Sequence, residues 1–210
     1  MSIKIKISGL RREEDIDFVN EARPDWASVM LCRRFWRCVD FDQARNLRRR
    51  LRDDIPLVGV FVNDKFSDVL VALRQGIVDM VQLQGTESEE YITSLQMMSY
   101  GKPIIKACEV HSPEVVLPYA EHSAADHILL HCPQVTGQKP DWSAVEGFSR
   151  DFLLAGKLTP ENVVEAIKTV HPWGVDLCSG VEVPTGPGEA ERVKDRALLL
   201  SAVEAVRSFN

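Results

Sequence analysis

The stretch Leu57-Val58-Gly59-Val60-Phe61, then Phe66 to Gln75, then Met80-Val81-Gln82-Leu83 decides how this chain folds. Two short apolar runs rich in β-formers flank a segment with helical spacing, and a polar loop precedes the helix. The same unit recurs in both directions. Strands are expected at Ile3 to Ile7, Trp26 to Leu31, Leu57 to Phe61, Met80 to Leu83, Pro103 to Ala107, His127 to Leu130, Phe152 to Ala155 and Val175 to Leu177. Helices are expected between and after them: Glu13 to Glu21, Phe41 to Arg52, Phe66 to Gln75, Glu87 to Met98, Pro113 to His122, Ser143 to Phe148, Pro160 to Val170 and Glu189 to Arg207. Ser112 before Pro113, and Thr159 before Pro160, read as helix starts where a hydroxyl caps free amides and proline suits the first turn.

Strict strand–helix alternation implies parallel strands with right-handed crossovers, because a tight hairpin cannot join a parallel pair. An open doubly wound sheet and a closed eight-stranded barrel both satisfy it. No Gly-x-Gly-x-x-Gly follows the first strand, which removes the usual mark of a dinucleotide-binding sheet. Eight units in 210 residues fit a compact barrel. The expectation is an α/β fold, a single (β/α)8 TIM barrel, with residues 1–210 as one domain. The irregular stretch Cys132 to Asp141 follows the sixth strand and therefore belongs to the catalytic face.

Composition narrows the function classes. With 45% hydrophobic and 27% charged residues, the chain has enough apolar surface for a core and is neither fibrous nor disordered. The net charge of −6 comes from interspersed acids and bases, which argues against a nucleic-acid partner. The cluster Arg45 to Arg52 reads as a solvated helix face. No apolar run approaches membrane-spanning length and Met1 to Ile7 lacks a signal-like core, so no membrane partner and a cytoplasmic location are expected. Five dispersed cysteines without C-x-x-C spacing read as reduced thiols, with neither a disulfide framework nor a metal site.

Residues at the C-terminal strand ends match a known family in order. Lys6-Ile7-Ser8-Gly9-Leu10, Arg37, Gly59-Val60-Phe61-Val62-Asn63, Val81-Gln82-Leu83-Gln84-Gly85 and Lys106-Ala107 are followed by Asp141-Trp142, Leu154-Ala155-Gly156-Lys157-Leu158 and Val175-Asp176-Leu177-Cys178-Ser179-Gly180-Val181-Glu182. In sequence and spacing this set resembles the phosphoribosylanthranilate isomerase family. The resemblance implies an intramolecular aldose–ketose isomerase of tryptophan biosynthesis. Its reaction is an Amadori rearrangement of N-(5'-phosphoribosyl)anthranilate that needs no cofactor. A general acid opens the ribose ring and a general base removes a proton from the adjacent carbon.

Carried over residue by residue, the resemblance puts the catalytic pair at Ser8, where the family has a cysteine base, and at His131, where it has an aspartate acid. A hydroxyl is a poorer base than a thiol unless a neighbouring base activates it, whereas histidine exchanges protons near neutrality. Substrate-binding positions fall at Arg37, suited to a carboxylate by its fork, and at Gln82 and Asp176. Phosphate-binding positions fall at Gly156, Lys157, Ser179 and Gly180, in the loops after strands seven and eight. Gln84 stands where the family usually has histidine, Lys157 interrupts its usual Gly-Gly, and Thr136 to Trp142 form a short sixth loop. Glu109 is a candidate relocated carboxylate base. His131 and Cys132 alternate across a strand, which disfavours a shared metal with Cys178. Exposed Phe35 and Trp36 fit either a lid or an interface. The expected partner is a phosphorylated small-molecule substrate, with the chain a monomer or homodimer. Two other readings fit the same residues: a paralogue that binds a phosphorylated ligand without this chemistry, and a scaffold barrel.

Overall fold

The computed structural model describes residues 2–132, 141–186 and 191–209. Eight strands, β1 (Lys4–Ile7), β2 (Trp26–Met30), β3 (Leu57–Phe61), β4 (Met80–Leu83), β5 (Ile104–Glu109), β6 (His127–His131), β7 (Phe152–Ala155) and β8 (Gly174–Leu177), close in chain order into a parallel barrel. β8 returns to β1 with Ile7 opposite Leu177, which seals the barrel and removes any open edge. Helices α1 (Glu13–Ala22), α2 (Phe41–Arg50), α3 (Phe66–Arg74), α4 (Glu89–Met98), α5 (Pro113–His122), α6 (Val163–Val170) and α7 (Arg196–Phe209) follow their strands, and among the described residues the step between β6 and β7 carries no α-helix.

Alternation along each strand sorts side chains into two cores. Outward residues such as Ile5, Val29, Leu57 and Leu130 pack under the helices. Inward residues form layers. At the floor, Trp26 and Trp173 lie 5.4 Å apart and His127 stacks on Trp173 at 5.2 Å, so three rings close the N-terminal end. Above them Val58, Met80, Ile105, Ala107, Leu129, Leu153 and Ala155 fill the middle. One further step up, most inward positions turn polar, as at Ser8, Ser28, Gln82, His131 and Asp176, while β3 keeps Val60.

All eight expected strands are present, with ends moved by at most two residues. Three helix expectations need correction. Ser143 to Phe148 forms only a one-turn 3-10 helix (Trp142–Val145), stopped by Gly147 at φ +81. The helix expected from Pro160 begins at Val163, because Thr159 to Asn162 form a turn in which the Asn162 side chain accepts from the Thr159 amide at 2.7 Å. The last helix starts at Arg196. Residues Arg192–Lys194 instead form strand β10, antiparallel to β9 (Glu182–Pro184), and Asp195 caps the Leu198 amide at 2.9 Å. Neither Ser112 nor Thr159 caps a helix through its hydroxyl; the Ser88 hydroxyl caps α4 and the Asp40 carboxylate caps α2. Most of the Cys132 to Asp141 stretch, from 133 to 140, lies outside the described residues.

Candidate active site

A cavity of about 240 Å3 opens at the C-terminal mouth of the barrel. Ser8, Gln82, His131 and Asp176 line it from the strands. Arg37, Gly156, Lys157 and Ser179 line it from the loops after β2, β7 and β8. Gly180 does not line it. Gly180 packs against the backbone of Leu158, where a Cβ would collide with the Leu158 carbonyl, so its smallness seats the β8 loop on the β7 loop.

Ser8 is the centre of a buried polar network. Lys6, fully buried two residues earlier on the same inward row, donates to Ser8 Oγ at 2.5 Å and to Asp176 Oδ2 at 3.1 Å. Ser28 donates to Ser8 Oγ at 2.9 Å, and the Ser8 hydroxyl donates to Asp176 Oδ1. Register makes this possible: Lys6 pairs with Asp176 across β1 and β8, and the Ser8 amide donates to Leu177. Asp176 thus offers a carboxylate acceptor for the serine proton, while Lys6 and Ser28 offer two donors that favour negative charge on Oγ.

Arg37 is anchored from within the chain. Its Nε and Nη2 meet Glu182 at 3.1 and 2.6 Å, and Lys194 joins the same carboxylate at 2.7 Å. Burial pushes the Glu182 carboxyl up, but the Arg37 hydrogen bonds and the Lys194 charge outweigh burial and hold it below the ordinary glutamate value. The guanidinium also lies 4.1 Å over Trp36, with Arg11 5.2 Å from the same ring. Trp36 is therefore half of a cation–π stack and Phe35 lines the cavity, so the pair walls the mouth. The fork edge of Arg37 is committed to Glu182, which leaves Nη1 for a ligand.

His131 ends β6 beside Glu109 of β5, with Nδ1 3.7 Å from the carboxylate. Cys132, next in sequence, is buried on the opposite, outer side, and burial pushes its thiol up to about 12. Lys157 follows Gly156 in the left-handed region at φ +47, and Gly156 itself, at φ +129, passes against the Cys132 backbone where no Cβ fits. Gln82 is almost fully buried; its Nε2 donates to Gln84 at 2.9 Å and its Oε1 has no partner.

Sequence reasoning missed three members of the site. Lys6 and Ser28 sit on the inward rows of β1 and β2, which strand parity alone would have flagged once the register was known. Cys178, read as a reduced cysteine and a disfavoured metal ligand but not as a site residue, lines the cavity. Among the described residues no cluster of three histidine, cysteine or carboxylate groups is arranged to hold a metal ion. No helix among them is long and apolar enough to cross a membrane.

Residues 5–200 match the family described as N-(5'phosphoribosyl)anthranilate (PRA) isomerase. The chain is 38% identical over 211 residues to the N-(5'-phosphoribosyl)anthranilate isomerase of Endomicrobium trichonymphae, covering 98% of this chain and 99% of that protein. It is similar to a phosphoribosyl anthranilate isomerase solved in complex with reduced 1-(o-carboxyphenylamino)-1-deoxyribulose 5-phosphate. The TM-score is 0.79 with 29% identity, over 98% of this chain and 99% of the other. A structure of monomers generated from the dimeric enzyme of Thermotoga maritima gives a TM-score of 0.81 with 27% identity, again over 98% and 99%.

Proposed function

The chain belongs to the N-(5'-phosphoribosyl)anthranilate isomerase family, and from that premise we propose that it performs the family's Amadori rearrangement with His131 as acid and Ser8, backed by Asp176, as base. The observation that carries this reading is the convergence of His131 with the Ser8–Asp176 pair on one cavity. His131 as imidazolium gives a proton to the ribose ring oxygen, the ring C–O bond breaks, and the cation of the Schiff base forms at nitrogen. Ser8 Oγ then takes the proton from the adjacent carbon as its own proton passes to Asp176, and the C–H electrons neutralise the iminium to give the enolamine. Ketonisation yields the aminoketose, and solvent returns one proton to His131 and removes one from Asp176. The steps are proton transfers and the ring C–O cleavage that the first of them drives, so the chemistry calls for no cofactor.

Binding follows the same geometry. Gly156, Lys157 and Ser179 are assigned to the phosphate, with Gly180 seating the loop that carries Ser179: Lys157 contributes a cation and the β8 turn contributes backbone amides. The aromatic carboxylate is assigned to the Nη1 side of Arg37, which its Glu182 and Trp36 contacts hold in place. Gln82 Oε1, a buried acceptor without a partner, is assigned a donor on the substrate, since an unmet buried acceptor costs about 1–3 kcal/mol. Cytoplasmic location and a monomer or homodimer complete the reading; the dimeric Thermotoga relative supports the latter.

Steady-state kinetics on Ser8→Ala and Asp176→Asn test the base assignment. Each is expected to lower kcat by about a hundredfold or more, the usual weight of a general base, with KM changed little. Wild-type kcat in Ser8→Ala would remove serine from the mechanism.

A further inference from the structure

Glu109, beside the proposed acid, is unused by the chemistry above, and its position is fixed by sheet register. Glu109 at the end of β5 stands opposite His131 at the end of β6, and the next amide, Val110, donates to the His131 carbonyl at 2.9 Å. Residues in register on neighbouring strands point to the same side of the sheet, so both side chains rise at the mouth. Glu109 Oε1 lies 3.7 Å from His131 Nδ1, and its Oε2 lies 3.3 Å from His111 Nε2. The carboxylate therefore stands between two imidazoles, one on the cavity and one two-thirds exposed.

We propose that Glu109 is the positioning residue of the acid: it faces His131 Nδ1, favours the imidazolium, and leaves Nε2 as the nitrogen that donates to the substrate. The proposal rests on the reading of His131 as acid. Its logic is that of a carboxylate behind a catalytic histidine: it selects the tautomer left after donation, here the one protonated at Nδ1, and stabilises the charged ring before donation. Among the described residues, other charges facing His131 are few. From β7 the in-register neighbour is Ala155, uncharged, while Lys157, two residues on, lines the same cavity and opposes protonation. Across the cavity stand Asp176, which favours it, and Arg37, which opposes it. His111 reaches His131 only through Glu109 and competes for its charge. Because His131 is 40% and Glu109 55% exposed, the pair is a screened one, and its loss is worth about a threefold change in rate.

The experiment compares the full chain with Glu109→Gln, Glu109→Ala and His111→Ala by nitrogen NMR of the histidine rings and by the pH dependence of kcat. In Glu109→Ala the neutral His131 ring is expected to lose its Nδ1-protonated signature. In both Glu109 variants kcat at pH 8 is expected to fall about threefold, with KM within twofold, and the alkaline limb to move to lower pH. His111→Ala, which frees the carboxylate, is expected to keep the signature and move the limb the other way. Glu109→Gln retains an acceptor without the charge, so it is expected to keep the tautomer and lose the pH effect. An unchanged His131 ring signature in Glu109→Ala overturns the proposal. A changed signature with an unchanged kcat retains the pair and instead refutes His131 as the acid, so the two claims fail separately.

Discussion

Replacing Asp176 by Asn keeps the side-chain shape but leaves the Lys6 ammonium, with no solvent exposure at all, facing neutral partners only. Removing one partner of a buried ion pair costs about 3–5 kcal/mol, because the remaining charge is stranded. Two features place this site at the lower end. Asp176 borders the cavity, where water enters, and Asn Oδ1 still accepts from Lys6, as does Ser8 Oγ at 2.5 Å. The expected loss is about 3 kcal/mol, or about 6–12 °C in Tm for a chain of this length. Urea unfolding followed by tryptophan fluorescence measures it, and an unchanged m-value keeps the comparison two-state. Lys6→Met in the Asp176→Asn background removes the stranded charge and is expected to recover more than half of the loss. Asp176→Asn within about 0.5 kcal/mol of wild type, or a double variant no more stable than the single one, refutes this account of the network.

Glu182→Gln strands Lys194 and releases Arg37, so stability at pH 7 is expected to fall by about 3 kcal/mol in urea titrations and the KM for substrate to rise. The folded Glu182 value lies below the ordinary one, so its stabilisation is full above about pH 4.3 and is lost as pH falls through the lower folded value; the variant's acid limb should be correspondingly flatter. His127 at the floor runs the opposite way in burial terms: desolvation lowers its value, assisted by Arg150 and opposed by Asp126. The unfolded chain then binds the proton more readily, so stability is untouched above about pH 6.5 and declines as pH falls below it. His127→Phe, which keeps a ring against Trp173, is expected to flatten the urea midpoint between pH 7.5 and pH 5. Burial also pushes the Cys108 and Cys132 thiols up to about 11 and about 12, so iodoacetamide at pH 8 should leave both unlabelled in the native chain. Mass mapping should find label at Cys178 instead, and a phosphorylated substrate analogue should protect it.

The barrel was legible because its strands are short, apolar and separated by helices, a pattern that demands parallel strands, and because eight such units without a dinucleotide-binding glycine motif favour closure over an open sheet. Where local signals misled, a longer-range contact had won. Glu189 to Arg207 has helical composition throughout, yet Arg192 to Lys194 pair with β9, where the Lys194 ammonium reaches Glu182. Pro160 reads as a helix start, yet the Asn162 side chain ties Thr159 and Lys157 into a turn that shapes the β7 loop. The site was legible at its mouth: Ser8, Arg37, His131 and Asp176 all reach one cavity. Its supports were not, because the meaning of Lys6, Ser28, Glu182 and Glu109 depends on which residues stand opposite them across strands or loops far apart in sequence.

Single-turnover isomerisation of freshly generated N-(5'-phosphoribosyl)anthranilate, with aldose and ketose forms resolved by chromatography, tests the central claim most directly. The purified chain is expected to form the aminoketose well above the rate in buffer, and His131→Ala is expected to lose at least a hundredfold of that rate. A chain that binds the substrate but leaves it unconverted, or a His131→Ala variant as fast as wild type, would contradict the account.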